Sequence, residues 1–374
     1  MNYQYSLPGK FQHHLIGAAG AVCVFAVLTA SAASARCEDG DRTNQDSITA
    51  ATATPTGCSR QIEVVEATTD AIVDSLDKRG LVYAERGEFD CAIWEFSHAI
   101  ELKPESPTLF NNRGVAYRQK GEMDRSLEDF NRAIYLKPDY AVALTNRGSV
   151  YMFTNQLDRA IEDYNQALGF DPRYASAYND RGSVYASRGD LERAMQDYGE
   201  AIRLKPGYAD AHYNKGLAFL HLGDFDRAIA EFDEVLRLKP DFVQAYDSRG
   251  NAWNAEGRRE RAIADYTEAI HRKPNYADAY FNRGSALDSE GKHERAIQDL
   301  SEALQLKPNF PEALHNRGGA YAAEGQLDRA IQDYDAALRL RPDYTSAQLD
   351  RERVYAEKRQ REGIAQNSAE TAAQ

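Results

Sequence analysis

The side chains that could carry out acid–base or metal chemistry in this chain are eight histidines, four cysteines and many carboxylates. A metal or catalytic site needs such groups at set spacings, for example two histidines on one helical turn. No such pair, phosphate loop, nucleophile elbow or dinucleotide fingerprint occurs. The sequence therefore predicts no catalytic residue, no metal site, no cofactor and no enzyme activity. The histidines are scattered, at His13, His14, His98, His212, His221, His271, His293 and His315.

Many of the carboxylates recur at a fixed distance from a basic residue. A basic residue recurs at a constant interval, which is the interval between Arg113 and Arg147. An acidic residue follows each of them at a second constant interval, which is the one between Arg113 and Asp129. We expect partly buried ion pairs that fix helix register, since the planar guanidinium group suits carboxylates. Because Arg351 continues the series, the sequence favours pairing each acid with the arginine of the following unit. The residues are Arg79 and Glu95, Arg113 and Asp129, Arg147 and Asp163, Arg181 and Asp197, Lys215 and Glu231, Arg249 and Asp265, Arg283 and Asp299, and Arg317 and Asp333.

Glycines mark the same period, from Gly80 to Gly318. Counted from each of these glycines, the seventh residue is a second glycine except at Asn155, and the twenty-fourth is a proline. The twelfth residue is alanine except at Ser126, and the sixteenth is aromatic except at Leu300. A regular repeat of about 34 residues is typical of helical hairpins that stack into a solenoid.

In these positions the chain resembles the tetratricopeptide repeat family over roughly residues 73–360. The resemblance implies an all-α fold, a right-handed α-solenoid of eight helical hairpins of about 34 residues each. A C-terminal capping helix is expected over residues 345–362. We also expect a flexible polar leader over 36–69, a first helix that begins near Asp70, and a disordered tail over 363–374. The expected hairpins start at residues 73, 107, 141, 175, 209, 243, 277 and 311.

Each repeat is expected to hold two amphipathic helices, here called A and B. The first glycine and the alanine allow these helices to approach closely, and a larger side chain there would cost roughly 1–3 kcal/mol. The second glycine allows a left-handed turn, which Asn155 also tolerates. An acid such as Asp90 or Asp124 opens helix B, where the helix dipole favours negative charge.

The resemblance places binding on the concave surface, which helix A lines in this family. Similar proteins use asparagines two residues before the glycine to hydrogen-bond the backbone of an extended peptide. Asp180 and Ser248 interrupt the series here, and the alternative is that asparagine is only a tolerated surface residue. Neighbouring groove positions hold Tyr213 and Phe281, aromatic residues of the kind found at binding hot spots, together with Arg118 and His315. The candidate asparagines are Asn112, Asn146, Asn214, Asn282 and Asn316.

The charged residues of the chain indicate which kinds of partner it can bind. Family members that grip a C-terminal carboxylate carry lysines and arginines on successive A helices, and this chain has none of them at those positions. A neutral or basic protein segment is therefore the favoured partner. The net charge of −13 argues against nucleic acid or an anionic membrane surface as the main partner. The positions that would form the clamp hold Thr108, Val142, Ser176, Asp210, Gln244, Asp278 and Glu312.

The N-terminal segment differs in composition from the repeats. Residues 1–35 contain no acid and one lysine, and an apolar run from Leu15 to Leu28 precedes the small residues Ala33 and Ala35. This pattern predicts a signal peptide that is cleaved before Arg36. The run is short for a membrane helix, which needs about 20 apolar residues. We expect export to the periplasm or medium, without membrane insertion of the mature chain, and the alternative is an uncleaved N-terminal anchor.

The cysteines suit an exported protein. Cys37 and Cys58 flank a polar segment and could form a disulfide in an oxidising compartment, the alternative being two free thiols. Cys91 stands where other repeats carry arginine and is expected to be an exposed, unpaired thiol.

Together these features predict a non-enzymatic, exported scaffold or adaptor that binds a peptide segment of a partner protein, in envelope assembly or secretion. A glycan- or cell-wall-binding accessory protein and a regulatory subunit of a separate enzyme are the alternatives. The sequence leaves the oligomeric state open.

Overall fold

The computed structural model describes the backbone of residues 58–372 and the side chains of residues 69–363, and in this part the chain is entirely helical outside its turns. The helices follow one another as hairpins, which confirms the all-α solenoid class. The chain divides into two compact units. The N-terminal unit ends at Ala211 and the C-terminal unit begins at His212.

The N-terminal unit contains four hairpins and the start of α9. Helices with odd numbers are the A helices of the hairpins, and helices with even numbers are the B helices. The helices are α1 (Cys58–Glu85), α2 (Phe89–Leu102), α3 (Pro107–Lys120), α4 (Met123–Leu136), α5 (Ala141–Phe153), α6 (Leu157–Phe170), α7 (Ala175–Ser187) and α8 (Leu191–Leu204), followed by α9 (Ala209–His221).

The C-terminal unit continues from α9 in the same order and ends with an unpaired A helix, α17. Its core near the end of the chain packs Leu314, Tyr334 and Ala337 against Ala347 and Val354 of α17. The helices are α10 (Phe225–Leu238), α11 (Val243–Ala255), α12 (Arg259–Arg272), α13 (Ala277–Ser289), α14 (His293–Leu306), α15 (Pro311–Ala323), α16 (Leu327–Leu340) and α17 (Thr345–Ala372).

Both ends of the helical array differ from the sequence expectation. Helix α1 begins at Cys58, so Asp70 lies within it and pairs with Lys103 at 2.8 Å instead of capping its start. Helix α17 continues past the expected end at residue 362 and reaches Ala372, through most of the segment expected to be a disordered tail. Helix propensity explains the second difference, because residues 363–374 include four alanines and no proline that would stop a helix.

The turn between the two helices of each hairpin uses left-handed backbone, as predicted. Gly121, for example, has φ 88° at the end of α3, and its N–H donates to the carbonyl of Arg118. Asn155 has φ 59° and is the only non-glycine residue with positive φ among those described. Asparagine tolerates this region better than other side chains do, so the turn is kept without glycine.

The first glycine of each hairpin lies against a large side chain of helix B. A Cβ added to Gly114 would lie 2.8 Å from the ring of Phe130, and one added to Gly182 would lie 2.8 Å from the ring of Tyr198. Ser126 replaces the usual alanine of helix B and donates a 2.7 Å hydrogen bond to the Gly114 carbonyl. A small polar side chain is therefore accepted at this contact when it finds an acceptor.

The arginine–acid pairs form within one hairpin, so the predicted pairing with the following hairpin is wrong. Arg113 donates to both oxygens of Asp129 at 2.8 Å, and Arg181 binds Asp197 in the same way. The cause is the close approach of helices A and B at the first glycine of the hairpin. The arginine directly precedes this glycine in helix A, and the acid directly precedes the large residue that packs on the glycine from helix B. The arginine and the acid therefore lie side by side. Hydrogen bonding to Asp129 raises the pKa of Arg113.

The arginines of this series that follow Arg79 also reach the preceding hairpin with their remaining guanidinium nitrogen. Nη1 of Arg147 donates to Asn131 at 2.7 Å, and Nη1 of Arg249 donates to Asp233 at 2.5 Å. The same group of Arg351 binds Asp335 at 2.7 Å. One guanidinium thus joins two consecutive hairpins, which is how the series extends to α17. We call this set of contacts the arginine ladder, and its other members within the units are Arg113 with Ser97, Arg181 with Asn165, Arg283 with Thr267, and Arg317 with Ser301.

The hairpin that carries lysine in place of arginine recruits a histidine. Lys215 reaches one oxygen of Glu231 at 2.7 Å, and Nδ1 of His212 lies 2.6 Å from the other oxygen. An ammonium group cannot match both oxygens of a carboxylate as a guanidinium does, and the imidazole completes the contact.

No helix in the described part of the chain combines the length and apolar composition that a membrane span requires.

Cys91 is disulfide-bonded, so the expectation of an unpaired thiol is wrong. The other cysteine of that bond lies outside residues 69–363, and so do both cysteines of the Cys37–Cys58 pairing considered from the sequence. The signal peptide and residues 36–57 of the expected leader lie outside the described part of the chain.

Candidate functional site

The A helices of each unit lie side by side and share a layer of polar side chains, which we call the A face. Consecutive A helices are in direct contact, as α3 and α5 are in the N-terminal unit and α11 and α13 in the C-terminal unit. The predicted peptide-binding asparagines lie in this layer. The hydrogen bonds of these asparagines show which of their amide groups are already used within the protein.

In the N-terminal unit the asparagines bind the preceding A helix. Nδ2 of Asn112 donates to Asp77 at 2.9 Å, and Nδ2 of Asn146 donates to Asn111 at 2.9 Å. Both asparagines are half-buried. A peptide could therefore use their exposed atoms, while these amide donors are held within the protein.

The C-terminal unit repeats this arrangement with different acceptors. Nδ2 of Asn282 donates to Asp247 at 2.8 Å, and Nδ2 of Asn316 donates to the hydroxyl of Ser285 at 2.8 Å. Asn214 is only 4% exposed. The five asparagines thus join or pack the A helices, and their contact with a peptide stays a prediction.

The predicted aromatic anchors are packed rather than free. Tyr213 is 7% exposed, its hydroxyl lies 3.2 Å from that of Ser248, and its ring meets Phe242 edge-on with centroids 5.0 Å apart. The ring of half-buried Phe281 lies 4.7 Å from that of Phe310. A ligand would meet Phe281 at its exposed edge, whereas Tyr213 serves the packing of the A face.

His315 and Arg118 occupy different surroundings on the A face. Nε2 of His315 lies 2.8 Å from Asp350 of α17, so the histidine joins the last hairpin to the capping helix. Arg118 acts electrostatically on Asp180, one of the two residues that interrupt the asparagine series. Asp180 accepts a 3.1 Å hydrogen bond from Asn179, and burial raises its pKa to about 6.

The most buried carboxylate of this layer is Asp247 of α11, which was not among the site residues predicted from the sequence. It is 8% exposed and accepts hydrogen bonds from Nδ2 of Asn282 at 2.8 Å and from Nδ2 of Asn251 at 3.4 Å. Burial raises its pKa to about 7, against the opposing effect of the Asn282 hydrogen bond. The sequence signal for this residue is an acid one position before the asparagine position of the repeat, with an asparagine four residues after the acid.

The groups on the A face suit hydrogen bonding and charge recognition. Amides and carboxylates supply donors and acceptors for a peptide backbone or a polar side chain. Within residues 69–363, no three histidine, cysteine or acidic side chains are grouped as metal ligands would be.

Comparison with known proteins agrees with this architecture. A family model described as "TPR repeat" matches residues 80–121, 149–187, 182–223 and 250–288, and one described as "Tetratricopeptide repeat" matches 107–140, 209–242, 277–310 and 311–344. Stacked hairpins with a shared polar face define a repeat scaffold of the kind that binds other proteins. Because the matched ranges together cover more than half of the chain, the protein belongs to the tetratricopeptide repeat family.

Solved structures support the fold alone, because their sequence identity to this chain is low. The APC/C hetero-tetramer Cut9–Hcn1 aligns at 18% identity with a TM-score of 0.58, over 71% of this chain and 52% of that one, so the match spans about half of the relative. A tetratricopeptide repeat protein from Parabacteroides merdae aligns at 20% identity and TM-score 0.51, over 67% of this chain and 99% of the other. Pseudomonas aeruginosa pilF aligns at 21% identity and TM-score 0.52, over 59% and 98%. No curated protein matched the sequence.

Proposed function

We propose that this protein is an exported, non-enzymatic adaptor that binds an extended segment of a partner protein on its A face, in envelope assembly or secretion. The observation that carries the proposal is the continuous layer of amides and carboxylates across consecutive A helices of each unit. Such a layer offers hydrogen bonds at regular intervals along a bound chain. Membership of the tetratricopeptide repeat family, whose members are generally interaction scaffolds, supports the same conclusion.

Charge supports a neutral or basic segment as the partner. Asp180 and Asp247 lie on the A face, and the chain as a whole carries a net charge of −13. Electrostatic complementarity of this kind increases the rate at which a basic partner associates and excludes acidic ones.

The test is affinity capture from an envelope extract with two double variants as baits. Thr108→Arg with Gln244→Arg places bulky cations on the A face, since Thr108 lies one helical turn before Asn112 and Gln244 lies beside Asp247. Gln196→Arg with Gln298→Arg makes the same charge change at exposed positions of the B helices. We expect wild type and the B-helix variant to capture one stoichiometric protein, identified by mass spectrometry, and the A-face variant to lose it.

Two results would contradict the proposal. Equal capture by both variants would exclude the A face as the binding surface. Retention on isolated cell wall with no protein partner would favour the glycan-binding alternative.

A further inference from the structure

One side of α1, the first A helix, is open, although the same side of the later A helices is buried. In α3, Ala116 packs with Ala92 and Phe96 of the preceding helix α2 and is fully buried. Val82 stands at the same place in α1 and is 43% exposed, because no described hairpin precedes it. The equivalent residues of the later A helices are all buried, namely Ala116, Val150, Val184, Ala218, Ala252, Ala286, Ala320 and Val354.

The other residues on this side of α1 are exposed as well. Ile72, Ser75, Arg79 and Val82 are three, four and three residues apart, so they lie along one side of the helix, which we call the end face. The side chain of Arg79 is 50% exposed, whereas the arginines of the later ladder pairs are 19–21% exposed. The end of a solenoid needs a cover that presents polar groups to water, and the end face exposes two large apolar side chains instead.

A disulfide joins another part of the chain to this end of the array. Only residues 86–88 separate α1 from α2, and the N–H of Glu88 closes this turn on the carbonyl of Tyr83 at 2.9 Å. Cys91, in the first turn of α2, therefore lies beside the C-terminal end of α1. Because Cys91 is disulfide-bonded, the segment that carries its partner is held at the same place.

The length of α1 excludes Cys58 as this partner. The helix runs without a break over 28 residues from Cys58 to Glu85 and is therefore about 40 Å long. Cys58 and Cys91 thus lie at opposite ends of α1, whereas the two Cα atoms of a disulfide lie within about 7 Å of each other. Of the remaining cysteines, Cys23 belongs to the predicted signal peptide, so Cys37 is the partner that the mature chain keeps.

The segment between Cys37 and Cys58 is long enough to return along the whole of α1. An extended chain covers about 3.3 Å per residue, so the 20 residues from 38 to 57 reach up to about 65 Å. Ile48 stands about midway between the two cysteines, and Ile72 stands about midway along α1. A returning segment therefore brings the two isoleucines to the same level.

We propose that residues 37–57 fold back along α1 as an N-terminal cap, cover the end face and are fastened to α2 by a Cys37–Cys91 disulfide. Ile48 and the alanines that follow it supply apolar contacts, as the preceding B helix does for the later A helices. The acids between residues 38 and 41 supply negative charge for the half-exposed guanidinium group of Arg79. Reduction of the disulfide releases the cap and uncovers the end face, so the cap is sensitive to the redox state.

The first test maps the disulfide in the full chain purified without reductant. Free thiols are alkylated with iodoacetamide, and tryptic peptides are analysed by mass spectrometry without reduction. We expect the Cys37 peptide that ends at Arg42 to be linked to peptide 87–113, and Cys58 to be alkylated in peptide 43–60. A link from Cys91 to Cys58 or Cys23, or an alkylated Cys91, would overturn the inference.

The second test measures the cover on the end face by hydroxyl-radical footprinting of the full chain. We expect labelling of Ile72 and Val82 to rise several-fold after reduction and alkylation and in a Cys37→Ser variant, because solvent then reaches both side chains. Cys58→Ser is the matched control and should label as wild type does. Leu349 of α17 is 61% exposed, and its labelling should stay constant in all samples. Unchanged labelling of Ile72 and Val82 after reduction would contradict the cap.

A second copy of this chain is the other occupant that could cover the end face. Footprinting at two protein concentrations separates the two cases, since a cap formed by the same chain does not depend on concentration. We expect Ile72 and Val82 to stay protected on dilution and light scattering to give the mass of a monomer. Protection that is lost on dilution of a dimer would assign the end face to the second copy and exclude the cap.

Discussion

At the scale of single residues, the arginine ladder fixes how each helix lies against its neighbours. The ladder arginines Arg113, Arg147, Arg181, Arg249, Arg283 and Arg317 each bind two oxygens of an acid in their own hairpin and one acceptor in the hairpin before it. Breaking a buried pair by removing one partner costs about 3–5 kcal/mol, because the other charge is left without compensation. The ladder therefore penalises any slip of one helix against its neighbour.

Asp197→Ala tests this role. We expect a loss of roughly 3 kcal/mol in the free energy of unfolding, because Asp197 is 6% exposed and its removal leaves Arg181 without a bidentate partner. Urea denaturation gives the measurement. Gln196→Ala, an exposed change next to it on α8, is the control and should change the stability by less than about 0.5 kcal/mol. Similar curves for both variants would refute the structural role of the pair.

Asp247 should make the stability of the protein depend on pH. Its folded pKa of about 7 lies above the unfolded value of about 3.9, so the folded state binds the proton more tightly. Its contribution is therefore fully present below about pH 4 and is lost as the pH rises to about 7. We expect Asp247→Asn, which is neutral at every pH, to be more stable than wild type at pH 8 by on the order of a few kcal/mol.

The check is a series of thermal or urea unfolding curves between pH 4 and pH 8 for wild type and Asp247→Asn, with Gln298→Ala as a neutral surface control. The advantage of the asparagine variant should shrink toward acidic pH. A constant difference across the series would show that the carboxyl does not titrate in this range.

At the scale of elements, the contact between glycine and the large residue sets the distance between helices A and B. Gly182→Ala should destabilise the N-terminal unit by roughly 1–3 kcal/mol, since the new Cβ would lie 2.8 Å from Tyr198. Gly199→Ala in the same hairpin is the matched control, because nothing lies within 4 Å of its added Cβ and alanine favours a helix by about 1 kcal/mol. Circular dichroism during denaturant unfolding distinguishes the two. Destabilisation of equal size in both variants would contradict the packing argument.

The helices and turns could be predicted because each depends on local spacing. Glycine at the turn, alanine at the contact and proline after helix B recur with the same period, and Asn155 fits by its tolerance of positive φ. The wiring of the ladder could not be predicted in the same way. Asp129, for example, stands almost midway in the sequence between Arg113 and Arg147, and only the packing of the helices chooses between them.

The candidate site was predicted only in part for a similar reason. The spacing placed Asn112 and Asn282 correctly on helix A, but their amides donate to acceptors on the neighbouring A helix of the preceding hairpin. The burial of Tyr213 and of Asp247 depends on several helices together. Such features follow from three-dimensional packing and not from one periodic pattern.

At the scale of the whole molecule, the prediction of export decides in which compartment a binding partner must be sought. The apolar run from Leu15 and the small residues Ala33 and Ala35 predict that the mature chain begins at Arg36. Intact-mass spectrometry of the protein from its producing cells should show the loss of residues 1–35. Ala35→Arg, which removes a small residue that the peptidase needs, is the control and should keep them. A full-length mass for wild type would favour the anchored alternative.

The double reach of each ladder arginine also bears on how such chains lengthen during evolution. Arg283 binds Thr267 and Arg317 binds Ser301, and both acceptors are hydroxyl groups at equivalent places. If recombination removed residues 277–310, Arg317 would meet Thr267 and find the same chemistry. Because these two junctions use the same kind of contact, a whole repeat between them can be gained or lost while the remaining hairpins still fit together.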